Sequence, residues 1–152
     1  MLKILSGLIA VFCLAYASYE DIRTHMVPDF IWWIMAAGSL LLLTGAPICF
    51  SSGNIAGHIL SIFIQEKLMS RYYGRADSHA FSCCALFLMF SGYGLEAHIL
   101  HLTLSLALLT FIQLIRRNIT RSLKLRTPVP FIPYISVAFL ISYLLVNSAH
   151  LC

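Results

Sequence analysis

Asp21 and Asp77 are the residues of this chain best suited to chemistry. Each sits where a basic stretch meets a long apolar run. An ionisable side chain near the hydrocarbon of a bilayer costs about 2.5–3.5 kcal/mol on insertion scales, so a carboxyl group kept there implies a function and a partner. The partner of each is read as the other. Like charges a few ångströms apart cannot both ionise cheaply, so two such acids share one proton and titrate as a coupled dyad. A dyad of this kind can hydrolyse a peptide bond without metal or covalent intermediate. The ionised aspartate takes a proton from water while the protonated one hydrogen-bonds and polarises the scissile carbonyl.

The elements that must position these acids are apolar helices. With 152 residues, 60% hydrophobic and 11% charged, and a mean hydropathy of +0.87, the chain has far more apolar surface than a soluble domain needs for its core. About 20 apolar residues cross a bilayer, which leaves room for five or six spans and no separate soluble domain. The expected fold is therefore all-α and polytopic, a single membrane-embedded domain over residues 1–152. Expected spans run from about Ile4 to Tyr19, Phe30 to Thr44, Ile55 to Leu68, Asp77 to the Ser91-Gly92-Tyr93-Gly94 turn, His98 to Ile115, and Pro130 to Val146. Pro28 and Asp29 suit the start of the second helix, Trp32 and Trp33 fit an interfacial belt, and Gly45-Ala46-Pro47 marks a turn. The first span is read as uncleaved: small residues at Ala15 to Ala17 resemble a signal-peptide site, but Glu20-Asp21-Ile22-Arg23 leads straight into another apolar run. No internal repeat or low-complexity linker divides the chain.

Charge predicts the orientation. If the first span enters from outside, Arg23, then Lys67, Arg71 and Arg75, then Arg116, Arg117, Arg121, Lys124 and Arg126 all fall in cytoplasmic loops, and Lys3 alone lies outside. Both termini are then extracytoplasmic, and Asp21 and Asp77 share the cytoplasmic face. The net charge of +4 reads as membrane topology, with no nucleic-acid partner expected.

The remaining polar residues have plainer readings. Asp29 serves a helix start, and Glu66 beside Lys67 is a solvated end of the third span. Taken singly, Asp21 reads as an interfacial acid paired with Arg23, and Asp77 as an N-cap. Cys13, Cys49, Cys83, Cys84 and Cys152 lack CxxC spacing and read as small apolar packing, with a Cys49–Cys152 disulfide as an alternative. Glu96, His98 and His101 fall on the outer face and offer no third strong ligand, so neither metal nor cofactor is expected.

The local motifs add a specific resemblance. Asp21-Ile22-Arg23-Thr24-His25-Met26-Val27-Pro28 resembles the first aspartate motif of type IV prepilin peptidases, an Asp followed by a basic residue and then an aliphatic-Pro pair. Gly74-Arg75-Ala76-Asp77 is similar to the GxGD motif of prepilin and preflagellin peptidases and presenilins. Val129-Pro130-Phe131-Ile132-Pro133-Tyr134 resembles the Pro-Phe-x-Pro-Phe segment that opens the last peptidase helix of that family. The three occur in family order across nearly the whole chain. Ala76 replaces the second glycine of GxGD, and His79 stands where many members have lysine.

The resemblance implies a membrane aspartic endopeptidase of the cytoplasmic membrane. Asp21 and Asp77 would form the dyad, Gly74 and Ala76 would allow close approach, and Pro28, Pro130 and Pro133 would shape the helix starts. The implied substrate is a prepilin-like protein, a pseudopilin or a preflagellin, whose basic leader is cut at the cytoplasmic membrane face; membrane lipid is the other expected partner. Larger members carry a paired-cysteine segment associated with methylation, and this chain is expected to act as peptidase without methyltransferase. Three alternatives stand beside this reading: a noncatalytic membrane assembly subunit, a small transporter holding a proton or ion at helix ends, and a lipoprotein signal peptidase, suggested by Ala76-Asp77-Ser78. Serine-protease and zinc-protease chemistry lack their signatures, since the sequence has no HExxH and no intramembrane Gly-x-Ser-Gly.

Overall fold

A computed structural model describes residues 2–44, 52–119 and 129–149. The described chain is helical, without a strand. Helix α1 is Leu2–Thr24 and α2 is Phe30–Leu40, the latter tightening into a 3₁₀ turn at Leu41–Thr44. Helix α3, Ser52–Ile64, passes through a π turn at Gln65–Met69 and one further turn at Ser70–Tyr73. Helices α4, α5 and α6 are Arg75–Phe90, Leu95–Ile119 and Ile132–Ala149. These six helices occupy the six apolar stretches read from the sequence. Two segments, Ile4–Thr24 and Leu95–Arg116, are long and apolar enough to cross a membrane, and Phe30–Leu43 and Ile132–Ser148 are shorter apolar helices. The Gly45-Ala46-Pro47 turn, Cys49, Cys152, Arg121, Lys124 and Arg126 lie outside the described residues.

The helix boundaries follow from local chemistry. Helix α1 stops at His25, the one non-glycine with positive φ (54°) among the described residues, whose N–H returns to the Asp21 carbonyl at 3.1 Å. That is a left-handed cap adopted by a residue with a Cβ, a conformation worth about 1–2 kcal/mol of strain. His25→Val is therefore expected to destabilise the protein by about 1–2 kcal/mol, and His25→Gly to be tolerated, as thermal denaturation in detergent would show. Helix α4 ends at Gly92 (φ 87°), where Gly92 N–H bonds Met89 O at 3.0 Å and Tyr93 N–H bonds Leu88 O at 3.1 Å. This paired-bond C-terminus satisfies orphan carbonyls and turns the chain into α5.

Helix α4 is the hub of the bundle, packing on α2, α3, α5 and α6, while α1 packs on α2 and α6. Almost every residue of α4 from Ser78 to Met89 is buried. Phe87 meets Phe139 at 5.4 Å and Phe81 meets Phe131 at 5.6 Å, both edge to face, tying α4 to α6. Small residues and hydroxyls join the helices. Gly38 lets α1 approach α2 so closely that a Cβ there would lie 2.7 Å from Ile9 Cγ2. Beside it, the buried Ser6 hydroxyl donates to Gly38 O at 2.7 Å. Ser6→Ala is expected to cost about 0.5–1.5 kcal/mol through that bond, measured as a drop in thermal stability.

The core is mostly apolar but also contains polar groups, and many large apolar side chains lie outside it. The interior holds hydroxyls, imidazoles and an amide, while Phe12, Trp33, Phe63 and Leu144 are among the large apolar side chains left outside. The two tryptophans part company here: Trp33 is exposed, whereas Trp32 is buried in the core.

Candidate active site

Asp21 is placed by the last turn of α1, and its position is set by how α1 meets α6. One turn earlier, Ser18 Oγ and Ser136 Oγ lie 2.8 Å apart, and the Ser136 hydroxyl also reaches Leu14 O. That contact fixes the register. Three residues on from Ser18 and four residues back from Ser136, the backbone N–H of Ile132 donates to Asp21 Oδ2 at 3.0 Å. Asp21 is buried, so this bond satisfies a carboxyl oxygen and an orphan donor of the first helical turn together.

The Pro-Phe-Ile-Pro segment explains why a backbone donor is available there. The carbonyl of Phe131 accepts the first helical bonds of α6, from Tyr134 N–H at 3.0 Å and Ile135 N–H at 3.3 Å. Ile132 is the first helical residue and Pro133 the second, and proline has no N–H to offer. The N-terminal end of α6 therefore presents its positive pole and the Ile132 amide to Asp21.

Asp77 stands at the start of the hub helix. Gly74 occupies the N-cap position with φ 104° and ψ 159°, a backbone region essentially confined to glycine. Asp77 is the third residue of α4, half-buried, and its carboxyl makes no hydrogen bond among the described residues. It is not the N-cap that a structural reading of its sequence suggests. One turn further on, Phe81 packs on Phe131, the neighbour of Ile132. Asp21 and Asp77 are thus gathered around the start of α6, near enough for the charge of Asp21 to act on Asp77. His25 is likewise near enough to act electrostatically on Asp21.

Several side chains have partners other than those expected from the sequence. Arg23 does not pair with Asp21; its Nη1 donates to Tyr19 Oη at 3.4 Å. Glu66 is not a solvated helix end. The π turn carries it to His79, whose Nδ1 lies 2.9 Å from Glu66 Oε1, while Arg75 Nε donates to His79 Nε2 at 3.2 Å. Arg75 Nη2 lies 3.9 Å from Asp29 Oδ2, so Asp29 faces a cation as well as starting α2. Ala76 packs partly buried against the core from inside the helix, where alanine meets no backbone obstacle. Pro28 starts the turn into α2, with its carbonyl accepting Ile31 N–H at 3.3 Å.

A second polar group was not legible as a site in the sequence. His58, His98 and His101 are fully buried, with ring centroids 6.0 Å apart for His58–His98 and 6.1 Å for His98–His101. Gln65 joins them through His98 Nε2 at 2.9 Å. Among the described residues no group of three His, Cys, Asp or Glu is arranged to hold a metal ion. The i, i+3 spacing of His98 and His101 was the available signal; that His58 belongs with them depends on how α3 packs on α5. Cys13, Cys83 and Cys84 are free and buried, in keeping with a packing role.

No protein-family model, curated protein or solved structure matches this chain.

Proposed function

We propose that this chain is a six-span protein of the cytoplasmic membrane and an aspartic endopeptidase that removes the basic leader of prepilin-like substrates. The observation that carries this reading is the convergence of three separated segments. The Asp21 motif, the Gly74-Arg75-Ala76-Asp77 motif and the Pro130-Phe131-Ile132-Pro133 motif meet at one end of the bundle, although Asp21 and Ile132 are 111 residues apart. The many large apolar side chains on the outer surface support a bilayer as the solvent for the bundle. The positive-inside distribution supports the cytoplasm as the side on which the aspartates lie.

In this mechanism one aspartate of the dyad removes a proton from water, and the water oxygen adds to the scissile carbonyl carbon. The other aspartate donates its proton to the carbonyl oxygen. Collapse of the tetrahedral adduct breaks the C–N bond, and the departing amine takes a proton from the dyad. The Ile132 amide and the pole of α6 hold Asp21 in place throughout, and the half-buried Asp77 keeps its carboxyl free for water or substrate.

Co-expression with candidate prepilins in membranes tests the reading. A shortened substrate in the presence of the wild-type chain, and full-length substrate without it, is the expected result. A second reading draws on the buried His58, Gln65, His98 and His101, because intramembrane polar residues also mark proton or ion pathways. For a noncatalytic subunit or transporter, substrate length would be the same with wild type and with Asp77→Asn. A lipoprotein signal peptidase would place the aspartates on the outer face, which labelling of engineered cysteines from either side would reveal.

A further inference from the structure

A cavity of about 310 Å³ opens between α2, the end of α3 and α4, at the lower end of the range typical of small-ligand sites. It is distinct from the aspartate pair. Arg75, His79, Ser82 and Leu86 line it from one face of α4 at helical spacing, whereas Asp77 and Phe81 point to another face.

Two residues of its lining each carry a buried polar atom that lacks a partner. Trp32 Nε1 and Ser82 Oγ make no hydrogen bond among the described residues, although the two residues are only 5% and 6% exposed. Ser18, Ser39, Ser70 and Ser105 each return their hydroxyl to the carbonyl four residues back, and Ser82 does not. Indole N–H is a donor alone, so the group missing at Trp32 is an acceptor, and the Ser82 hydroxyl is able to donate to an acceptor of the same kind. Leaving such groups unpaired is costly in a buried setting.

The mouth of the cavity carries one cation between two carboxylates. Arg75 commits its Nε to His79, and its Nη2 is 3.9 Å from Asp29 Oδ2, beyond hydrogen-bonding distance, with both side chains exposed. Glu66 engages His79 through Oε1. The guanidinium has donors left for a phosphate, and the two carboxylates have oxygens left for an ammonium group. Below this rim the wall is apolar, with Trp32, Ala36 and Ile62 leading to the exposed ring of Trp33.

We propose that this cavity holds the headgroup and glycerol-ester region of a zwitterionic aminophospholipid. Arg75 takes the phosphate, Asp29 and Glu66 take the ammonium group, and Trp32 Nε1–H and Ser82 Oγ–H donate to ester carbonyls. The acyl chains leave over Ile62 and Trp33. A basic peptide would meet Arg75 as a like charge and give it no partner. An anionic lipid without an amine would meet two carboxylates. The inference rests on the membrane part of the proposed function and is independent of the peptidase part.

The test is native mass spectrometry of the full chain extracted from membranes in detergent, offered phosphatidylethanolamine, phosphatidylcholine and phosphatidylglycerol at equal concentration. The expected result is about tenfold preference for phosphatidylethanolamine, reduced to near unity by Arg75→Gln and by Asp29→Asn with Glu66→Gln. Phe63→Ala, an exposed position outside the cavity lining, should keep the preference. The readout is the ratio between lipids within each protein, so partial loss of folded material does not mimic it. A photoreactive residue replacing Ala36 should give an adduct of phospholipid mass. Equal retention of the three lipids by wild type, or a peptide adduct at position 36, overturns the proposal and leaves the peptidase reading standing. Displacement of the lipid by free phosphoethanolamine at equal concentration overturns the lipid source in favour of a soluble ligand. Recovery of the chain in the soluble fraction without detergent removes the membrane reading and this site with it.

Discussion

Asp77→Asn and Asp21→Asn are each expected to abolish cleavage of a co-expressed prepilin, with a loss of at least about 10²–10⁴-fold in rate. The amide keeps the size of the carboxyl group and cannot take a proton from water. For Asp77 the substitution removes no hydrogen bond among the described residues, so Asp77→Asn should accumulate and melt like the wild type. For Asp21 the amide oxygen can still accept the Ile132 N–H, so its structural role is kept as well. Asp21→Ala differs on this point. It leaves the Ile132 amide without its partner in a buried place, which should lower stability by about 1–3 kcal/mol in addition to abolishing cleavage. Comparing the two substitutions at position 21 by cleavage and by thermal denaturation separates chemistry from folding. Full cleavage by either asparagine variant would exclude that aspartate from the mechanism. A dyad that works with one shared proton also implies a bell-shaped dependence of rate on pH. Activity should fall at low pH when both acids are protonated, and at high pH when neither is.

Gly74→Ala carries the second largest expected effect. Space is not the obstacle, since a Cβ at this position would lie 3.5 Å from Asp77 Oδ2, an ordinary contact. The obstacle is the backbone, because φ 104° with ψ 159° costs a residue with a side chain about 1–3 kcal/mol. Relief of that strain would shift the first turn of α4, where Ser78 N–H bonds Gly74 O at 3.2 Å and Asp77 stands between them. A displacement of about 1 Å at the reacting group lowers turnover by up to about 100-fold. Gly74→Ala is therefore expected to melt earlier and to cleave more slowly, with kcat affected more than KM. Ala76→Gly is the matched control. That position lies inside the helix, so glycine there should cost no more than about 1 kcal/mol and leave cleavage nearly unchanged. Similar losses at positions 74 and 76 would refute the assignment of the backbone requirement to Gly74 alone. The dihedral demand thus falls on Gly74 at the cap and not on Ala76, the residue before the aspartate.

How much of this was legible in the sequence depends on the range over which each signal acts. The six helices follow from apolar stretches whose length and composition act along one segment. The breaks at Gly74 and at Gly92, and the starts at Pro28 and Pro130-Phe131-Ile132-Pro133, follow from residues whose backbone preferences act within a few positions. Asp21 and Asp77 likewise stand out among the acids through their local motifs.

Side-chain partnership across helices was decided by the tertiary structure. Glu66 belongs with His79 because a π turn at Gln65–Met69 changes the direction in which that residue leaves the helix. Trp32 is inside and Trp33 outside because consecutive residues on a helix lie about 100° apart, and the packing of α2 on α4 selects which face is covered. The meeting of Asp21 with Ile132 rests on the Ser18–Ser136 contact that sets how far α1 slides along α6. Apolar periodicity and end signals establish that a helix exists and where it stops. Its rotation and register are set by the sum of many small contacts with its neighbours, and no single segment of the chain contains that sum.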